Sequence, residues 1–488
     1  MPSNAAPIVQ QIQGDFHALI AYVTGPEAQT QSAYTVELTL FRRLLAIGAA
    51  LLRLFFVTQA AERPPAPVTA DGAVWSYYDQ RAISYYSVFG KLRVARHYFT
   101  APGLAGCCPL DAALSLPDHC YSDLLRDWAS YGSTDAAYRE NQAALARILG
   151  LTMSVQALET VTATAAADVS AFYQQPTDPA MPIPLGTILV VQADGKGVPM
   201  VQPPPETPPL RLGKGQKRTK KKEAIVTALY TIAPYVRTAQ DVVAALLHEE
   251  RRADHPTRPT PVRKEVRATL NGKAAACASL QARAAQRDHG RMTARVALTD
   301  GAESLQQQML THFPTHTLIL DIIHASEYLW ETATALWGET SAGRTPWVRT
   351  KLEQLLMGQT AAVITALEWD ASDPTRTDGQ RSALNRTIGY YQRNLTYMCY
   401  DVYLAQGWPI GTGVVEGACA HLVKDRMEQA GMRWTQDGAQ AVLDLRAVRS
   451  NDDWDAYWQF HRQQQHERLY GAAPAAVAPE AQILAMAA

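Results

Sequence analysis

A chain of 488 residues, 47% of them apolar, supports two or three buried cores. A formal net charge of −1 argues against a uniformly basic nucleic-acid binder, although local clusters of cations still suit one. Six cysteines without paired spacing (Cys107, Cys108, Cys120, Cys277, Cys399 and Cys419) argue against a disulfide framework and for a reducing cytoplasm.

Residues 1–120 read as a helical region with a small β hairpin. No secretory signal opens the chain. The apolar run from Leu44 to Val57 contains Arg53 and is too short for a bilayer, so it is a buried helix and no membrane contact is expected. After the break Arg63-Pro-Pro-Ala-Pro67, Tyr86–Tyr98 alternates as a hairpin. Its Lys91, Arg93 and Arg96 either meet phosphate or form a solvated face. Cys107, Cys108 and Cys120 supply at most half of a zinc site. Residues 121–175 read as helical: Gly150 suits a turn, and Ser154 suits the N-cap of a helix over Val155–Val169. The spacing fits a helix-turn-helix or a plain helical hairpin, and the second helix lacks cations for phosphate.

A linker over Pro176–Pro184 precedes Ile188–Val191, a continuous apolar run that reads as a strand buried on both faces. Asp194-Gly195 stands where that strand ends. The loop Arg211–Lys222 is densely basic and suits phosphate contact or a solvated linker. Further strands are read at Ala224–Ala233, Val266–Leu270, Met292–Thr299 and His316–Ile323, with helices at Asp241–Glu250, Ala274–Arg287 and Glu303–Thr311. With the Asp241 helix set aside, three strands, helix, strand, helix, strand is the succession of an α/β ribonuclease H-like core. Its mixed sheet is expected in the order 3-2-1-4-5 over residues 186–323. Residues 324–407 read as an all-α insertion and 408–465 as the returning part of the core, with a helix from Glu416 to about Gln429. Residues 466–488 read as a tail.

Asp194, Asp300 and Glu416 are the candidate metal ligands. Mg²⁺ takes hard oxygen ligands, and two ions about 3.5–4 Å apart serve phosphoryl transfer. In the expected order strand four adjoins strand one at roughly 4.8 Å, and strand five lies twice as far. That favours Asp300 over Asp321 as the partner of Asp194 and leaves Asp321 and His324 a supporting role; a purely structural histidine is the alternative. Glu416 falls in the first turn of its helix, where the dipole favours an ionised carboxylate. Gly411, Gly413 and Gly417 leave room for a DNA backbone.

The block Trp408–Trp434, containing Trp408-Pro-Ile-Gly-Thr-Gly-Val-Val-Glu-Gly417, resembles the C-terminal signature of bacterial insertion-sequence transposases of the Kra type. That family is of the DDE class with a ribonuclease H-like core. Val191–Met200, Leu318–His324 with Tyr328-Leu-Trp330, and Pro109–Leu114 match as well, so the resemblance covers most of residues 85–465. It implies that Asp194, Asp300 and Glu416 bind two Mg²⁺ ions, with Mn²⁺ as a substitute, and that Asp321 and His324 form an accessory Asp-x-x-His motif. It implies cleavage at element ends and strand transfer by a homo-oligomer on double-stranded DNA, in the cytoplasm at the nucleoid. DNA contacts are expected from Lys196, Lys214, Lys217, Arg218, Lys220, Lys221, Lys222, Lys424, Arg426, Arg433 and Trp434, besides a mainly helical N-terminal DNA-binding region. Upstream of Pro109 the sequence departs from the family, whose members often carry cysteine pairs there. A domesticated, non-catalytic DNA-binding protein and a nuclease or resolvase of the same fold are the alternatives.

Overall fold

Two long helices, Ala5–Thr24, whose one proline (Pro7) falls in the first turn, and Ala33–Gln59, open the chain in the computed structural model, which describes residues 5–68, 72, 74–176, 187–202, 221–249, 257–288, 290, 292–429 and 431–471. The chain divides into two compact units, Met1–Phe172 with Asp455–Ala488, and Tyr173–Trp454. Among the described residues no helix is long and apolar enough to cross a membrane.

In the first unit, strands β1 (Ser76–Ser87) and β2 (Gly90–Thr100) form an antiparallel hairpin. It begins at Ser76 rather than Tyr86. β1 is mostly exposed on both faces over its first half, so its sequence carries no apolar alternation and only the ladder reveals it. Lys91 and Arg93 are exposed, whereas Arg96 pairs with Asp111 at 2.5 Å. Helices Asp123–Asp135, Tyr138–Leu149 and Val155–Ala165 pack around Leu125, Ala129, Leu145, Met153 and Leu158. Gly150 ends the second of these at φ +67°, a left-handed conformation that glycine adopts without strain. Ser154 caps the third by accepting from Ala157 N at 3.0 Å. That helix stops at Ala165, and its exposed Gln156, Glu159 and Thr160 include no cation. Cys107 and Cys108 are free thiols in this unit.

The last helix, Trp454–Tyr470, belongs to this unit from Asp455 onward. Asp168 is the anchor. Its carboxylate takes His461 Nδ1 at 2.6 Å and both terminal nitrogens of Arg468 at 2.6 and 3.0 Å. A bidentate arginine of this kind fixes orientation as well as charge.

The second unit is built on a mixed sheet. Its strands are β3 (Ile188–Pro199), β4 (Lys221–Ile232), β5 (Val262–Thr269), β6 (Ala294–Thr299) and β7 (Thr317–Leu320), laid out β5-β4-β3-β6-β7. β3 runs antiparallel to β4 and parallel to β6, and β6 runs parallel to β7. Alternate residues enter opposite cores. Ile188, Val190, Val296, Leu298 and Ile319 pack with Ala325, Leu329 and Leu352 from the helical segment that follows the sheet. Leu189, Val191, Ala193, Ala297 and Leu318 pack with Cys277, Leu280, Leu305 and Met309 on the other side. Burial on both faces is why β3, β4, β6 and β7 carry apolar runs, whereas β5 is buried only at Val266 and Ala268. Helices Ile322–Trp337, Arg344–Leu356, Thr360–Ser372, Asp378–Asn394 and Tyr400–Ala405 make up the helical segment between β7 and the returning chain.

Candidate metal centre at the carboxyl ends of the sheet

Parallel pairing of β3 with β6 ends at Gln192↔Leu298, and Asp194 and Asp300 each lie two residues past that pair. Pairing of β6 with β7 ends at Thr299↔Leu320, and Asp300 and Asp321 each lie one residue past it. The three acids therefore form a row across neighbouring strand ends. Asp194 does not stand at the end of its own strand, as the Asp-Gly pair suggested. β3 continues to Pro199, paired with Lys221 of β4, and it is β6 that stops. Asp194 is left with an open flank on the β6 side. Gly301, at φ +88°, turns the chain after Asp300, and a Cβ there would sit 2.8 Å from both Leu320 Cδ1 and Tyr390 Oη. Only glycine fits that turn.

Tyrosines from the helical segment hold these ends in place. Tyr390 donates to the Asp300 carbonyl at 2.7 Å, and Tyr400 donates to the Leu320 carbonyl at 3.0 Å. Asp300 Oδ1 accepts from Ala302 N at 2.9 Å.

Asp321 is not a strand residue; it is the N-cap of helix Ile322–Trp337. Its fully buried carboxylate accepts from Thr412 N at 3.0 Å through Oδ1, and from His324 N at 3.0 Å and His324 Nδ1 at 2.6 Å through Oδ2. Ile322 N also donates to the Ile410 carbonyl at 3.0 Å. These bonds draw the segment 410–412 over the end of β7 and bring Glu416 with it. Ligand atoms of Asp321, His324 and Glu416 all lie within 4.8 Å of one another, the one such group among the described residues. Asp194 and Asp300 are not members. The grouping thus differs from the expected trio, because Asp321 is a cap reached by the returning chain rather than a remote strand end.

Glu416 sits in a short helix, Gly413–Ala418, followed by a wider π-helical turn over Cys419–Lys424 instead of the continuous α-helix expected. Such turns recur at functional sites. Glu416 Oε1 accepts from Thr412 Oγ1 at 2.6 Å. Three residues on, Cys419 donates its thiol to Asp194 Oδ2 at 3.3 Å. The helix therefore faces Asp321 and His324 with Glu416, and Asp194 with Cys419.

The electrostatics link the same groups. The hydrogen bond that His324 donates to Asp321 raises its imidazole to about 9 against opposing burial, with added attraction from Asp321, Glu327 and Asp300. Burial pushes the Cys419 thiol up, and the neighbouring charge of Asp194 and then Glu416 push it the same way. Asp300 acts on His324, and Asp194 and Glu416 act on Cys419, so all four acids belong to one neighbourhood.

The donor set decides which residues could hold a metal. Both oxygens of Asp321 take donors, as do both of Asp194, and the bond to Asp321 raises the His324 imidazole to about 9. Asp321 is thus fully buried with three accepted bonds, and a metal at His324 would first have to displace the ring proton, although the group of Asp321, His324 and Glu416 is itself close enough to share an ion. Asp194, Asp300 and Glu416 are partly exposed carboxylates that offer hard oxygens of the kind Mg²⁺ and Mn²⁺ take.

Of the expected DNA contacts, Lys214, Lys217, Arg218 and Lys220 lie outside the described residues. Lys196 is half-buried on β3, and Lys424 and Arg433 are exposed. Lys221 pairs with Glu428 at 2.7 Å, and Lys222 donates to Gln436 Oε1 at 2.7 Å. Arg426 and Trp434 are not at the surface. Arg426 is fully buried with its guanidinium 4.8 Å from the centre of the Trp434 ring, and Trp434 Nε1 donates to the Met427 carbonyl at 3.1 Å. Trp434 also bridges to the end of β3 through Val201 N and the Pro199 carbonyl. An aromatic and an arginine stem bury much apolar surface, and here that serves packing.

No protein-family model matches this chain, and no curated protein matches it. The sequence reading missed Gln192 and Cys419. The signal for Gln192 is a single amide inside the apolar run Ile188–Ala193; for Cys419 it is the three-residue spacing from Glu416, which places both on one helix face.

Proposed function

We propose that Tyr173–Trp454 is the catalytic core of a DDE-type DNA transposase of the Kra type, with a ribonuclease H-like sheet. It cleaves at insertion-sequence ends and transfers the freed strand to target DNA. The observation that carries the reading is the row of Asp194, Asp300 and Asp321 across adjacent strand ends, with Glu416 delivered to it from more than 90 residues downstream.

Asp194, Asp300 and Glu416 would hold Mg²⁺ or Mn²⁺, which when bound offset phosphate charge and activate an attacking oxygen. Asp321 orients His324 through Nδ1, which leaves Nε2 of a cationic ring as a donor to a phosphate oxygen. Thr412 fixes the rotamer of Glu416. Exposed Lys424 and Arg433, and the basic stretch before β4, supply sequence-independent phosphate contacts. Double-stranded DNA is the partner in this reading, the working form is a homo-oligomer, and the helical first unit aids DNA binding.

The test is incubation of the full chain with a duplex carrying the terminal repeats that flank its coding region. Mg²⁺-dependent release of a 3′-hydroxyl end and its joining to target DNA are expected. Cleavage without joining would make the protein a nuclease of the same fold, and binding without either would make it a non-catalytic DNA-binding protein.

A further inference from the structure

We infer that Gln192 is a positioning residue of this centre, whose buried carboxamide sets the helix bearing Glu416 against the strand bearing Asp194. The inference rests on the metal-dependent reading above. Gln192 is fully buried, in line with Ile188 and Val190 on the same face of β3. An amide there is unfavourable unless its donors and acceptor are all used. They are: Nε2 donates to Tyr230 Oη at 3.0 Å and to the Gly411 carbonyl at 3.2 Å, and Oε1 accepts from Val415 N at 3.0 Å.

Val415 N–H is one of the first-turn donors of helix Gly413–Ala418, which have no partner within the helix. The usual source of such a partner is the N-cap side chain. Thr412 occupies that position but makes no capping bond, because its hydroxyl donates to Glu416 Oε1. Gln192 does the capping from β3 instead, across 223 residues of chain. It thereby releases Thr412 to hold Glu416. Gln192 and Asp194 are two residues apart on one strand, so they share a face. The carboxamide thus ties the backbone of the Glu416 helix to the strand of Asp194 while touching neither acid, beside the separate bond from Cys419 to Asp194.

The experiment uses the full chain with Gln192→Met, which keeps length but makes no such bonds, and Gln192→Asn, which keeps the amide but loses reach. Mn²⁺ alone is titrated and followed by electron paramagnetic resonance, folding is checked by thermal melts, and cleavage is measured against Mn²⁺ concentration. Both variants should fold and bind Mn²⁺ roughly 10–100-fold more weakly, the range typical of lost supporting contacts, with cleavage partly restored at high Mn²⁺. Tyr230→Phe, which spares the bonds to Gly411 and Val415, should bind Mn²⁺ as the parent does. Unchanged Mn²⁺ affinity in a folded Gln192 variant would overturn the inference and leave the metal reading standing. Failure of both variants to fold would overturn it too, making Gln192 a folding residue only. A parent protein that binds no Mn²⁺ would sink the metal reading itself.

Discussion

The Cys419 thiol and the Gly195 amide take one oxygen each of Asp194, at 3.3 and 2.6 Å, so this carboxylate is held from its own strand and from the helix that carries Glu416. Cys419→Ala should leave the fold intact and lower metal-dependent cleavage about tenfold, while Cys419→Ser keeps a donor and most of the rate. Divalent metal should also slow maleimide labelling of Cys419 by ordering the carboxylates around it. Full cleavage by the alanine variant would show that the thiol does nothing for Asp194.

Arg426 and Trp434 are expected to matter for stability rather than for DNA. Trp434→Ala removes a buried ring and its bond to the Met427 carbonyl, a loss of about 3–5 kcal/mol. Urea melts and DNA affinity at a temperature where the variant is folded separate the two roles. Weakened binding with an unchanged midpoint would return Trp434 to the DNA surface.

These two residues also mark where sequence reading stops. Four of the five strands of the second unit stand out because apolar runs buried on both faces need no tertiary context to be recognised, whereas β5 is buried only at Val266 and Ala268 and is legible only near its end. Gly150 and Ser154 were legible for the same reason, since a left-handed turn and a side-chain cap are local chemistry. Burial of an arginine against a tryptophan eight residues on is not local, so the sequence does not separate this packing from a nucleic-acid contact. Asp321 is the sharper case. Counting strands measures its distance from Asp194, but beside His324 its partner is Thr412, which no strand count includes.

His324 gives a pH test. Asp321 raises the folded imidazole to about 9, against roughly 6.5 for an unfolded histidine. The folded state therefore binds the extra proton between those values, and stability falls as pH rises through that window. The contribution is complete below about pH 6.5 and gone above about pH 9. His324→Gln should narrow its stability deficit to the metal-free parent protein as pH rises across this range. A deficit constant with pH in paired urea melts would mean that His324 gains no proton affinity from Asp321.

Asp300 and Asp321 occupy matching places one residue past the last β6–β7 pair, yet they should fail differently. Asp300 Oδ1 accepts one backbone amide, whereas the Asp321 carboxylate is committed to Thr412 and His324. Asp300→Asn, like Asp194→Asn and Glu416→Gln, should abolish cleavage at every Mg²⁺ concentration, with at most a trace regained in Mn²⁺, which tolerates varied ligands better. Asp321→Asn still caps its helix, because asparagine caps nearly as well as aspartate. It cannot accept from Thr412 and from His324 on two separate oxygens, so the segment bearing Glu416 shifts and His324 loses its orientation. Cleavage should then slow by roughly 10–100-fold with little change in the Mg²⁺ requirement. The measurement is cleavage of a terminal-repeat duplex titrated with each metal. Loss of metal dependence on changing Asp321, with Asp300 tolerant, would move the metal from the Asp194–Asp300–Glu416 row to the group of Asp321, His324 and Glu416.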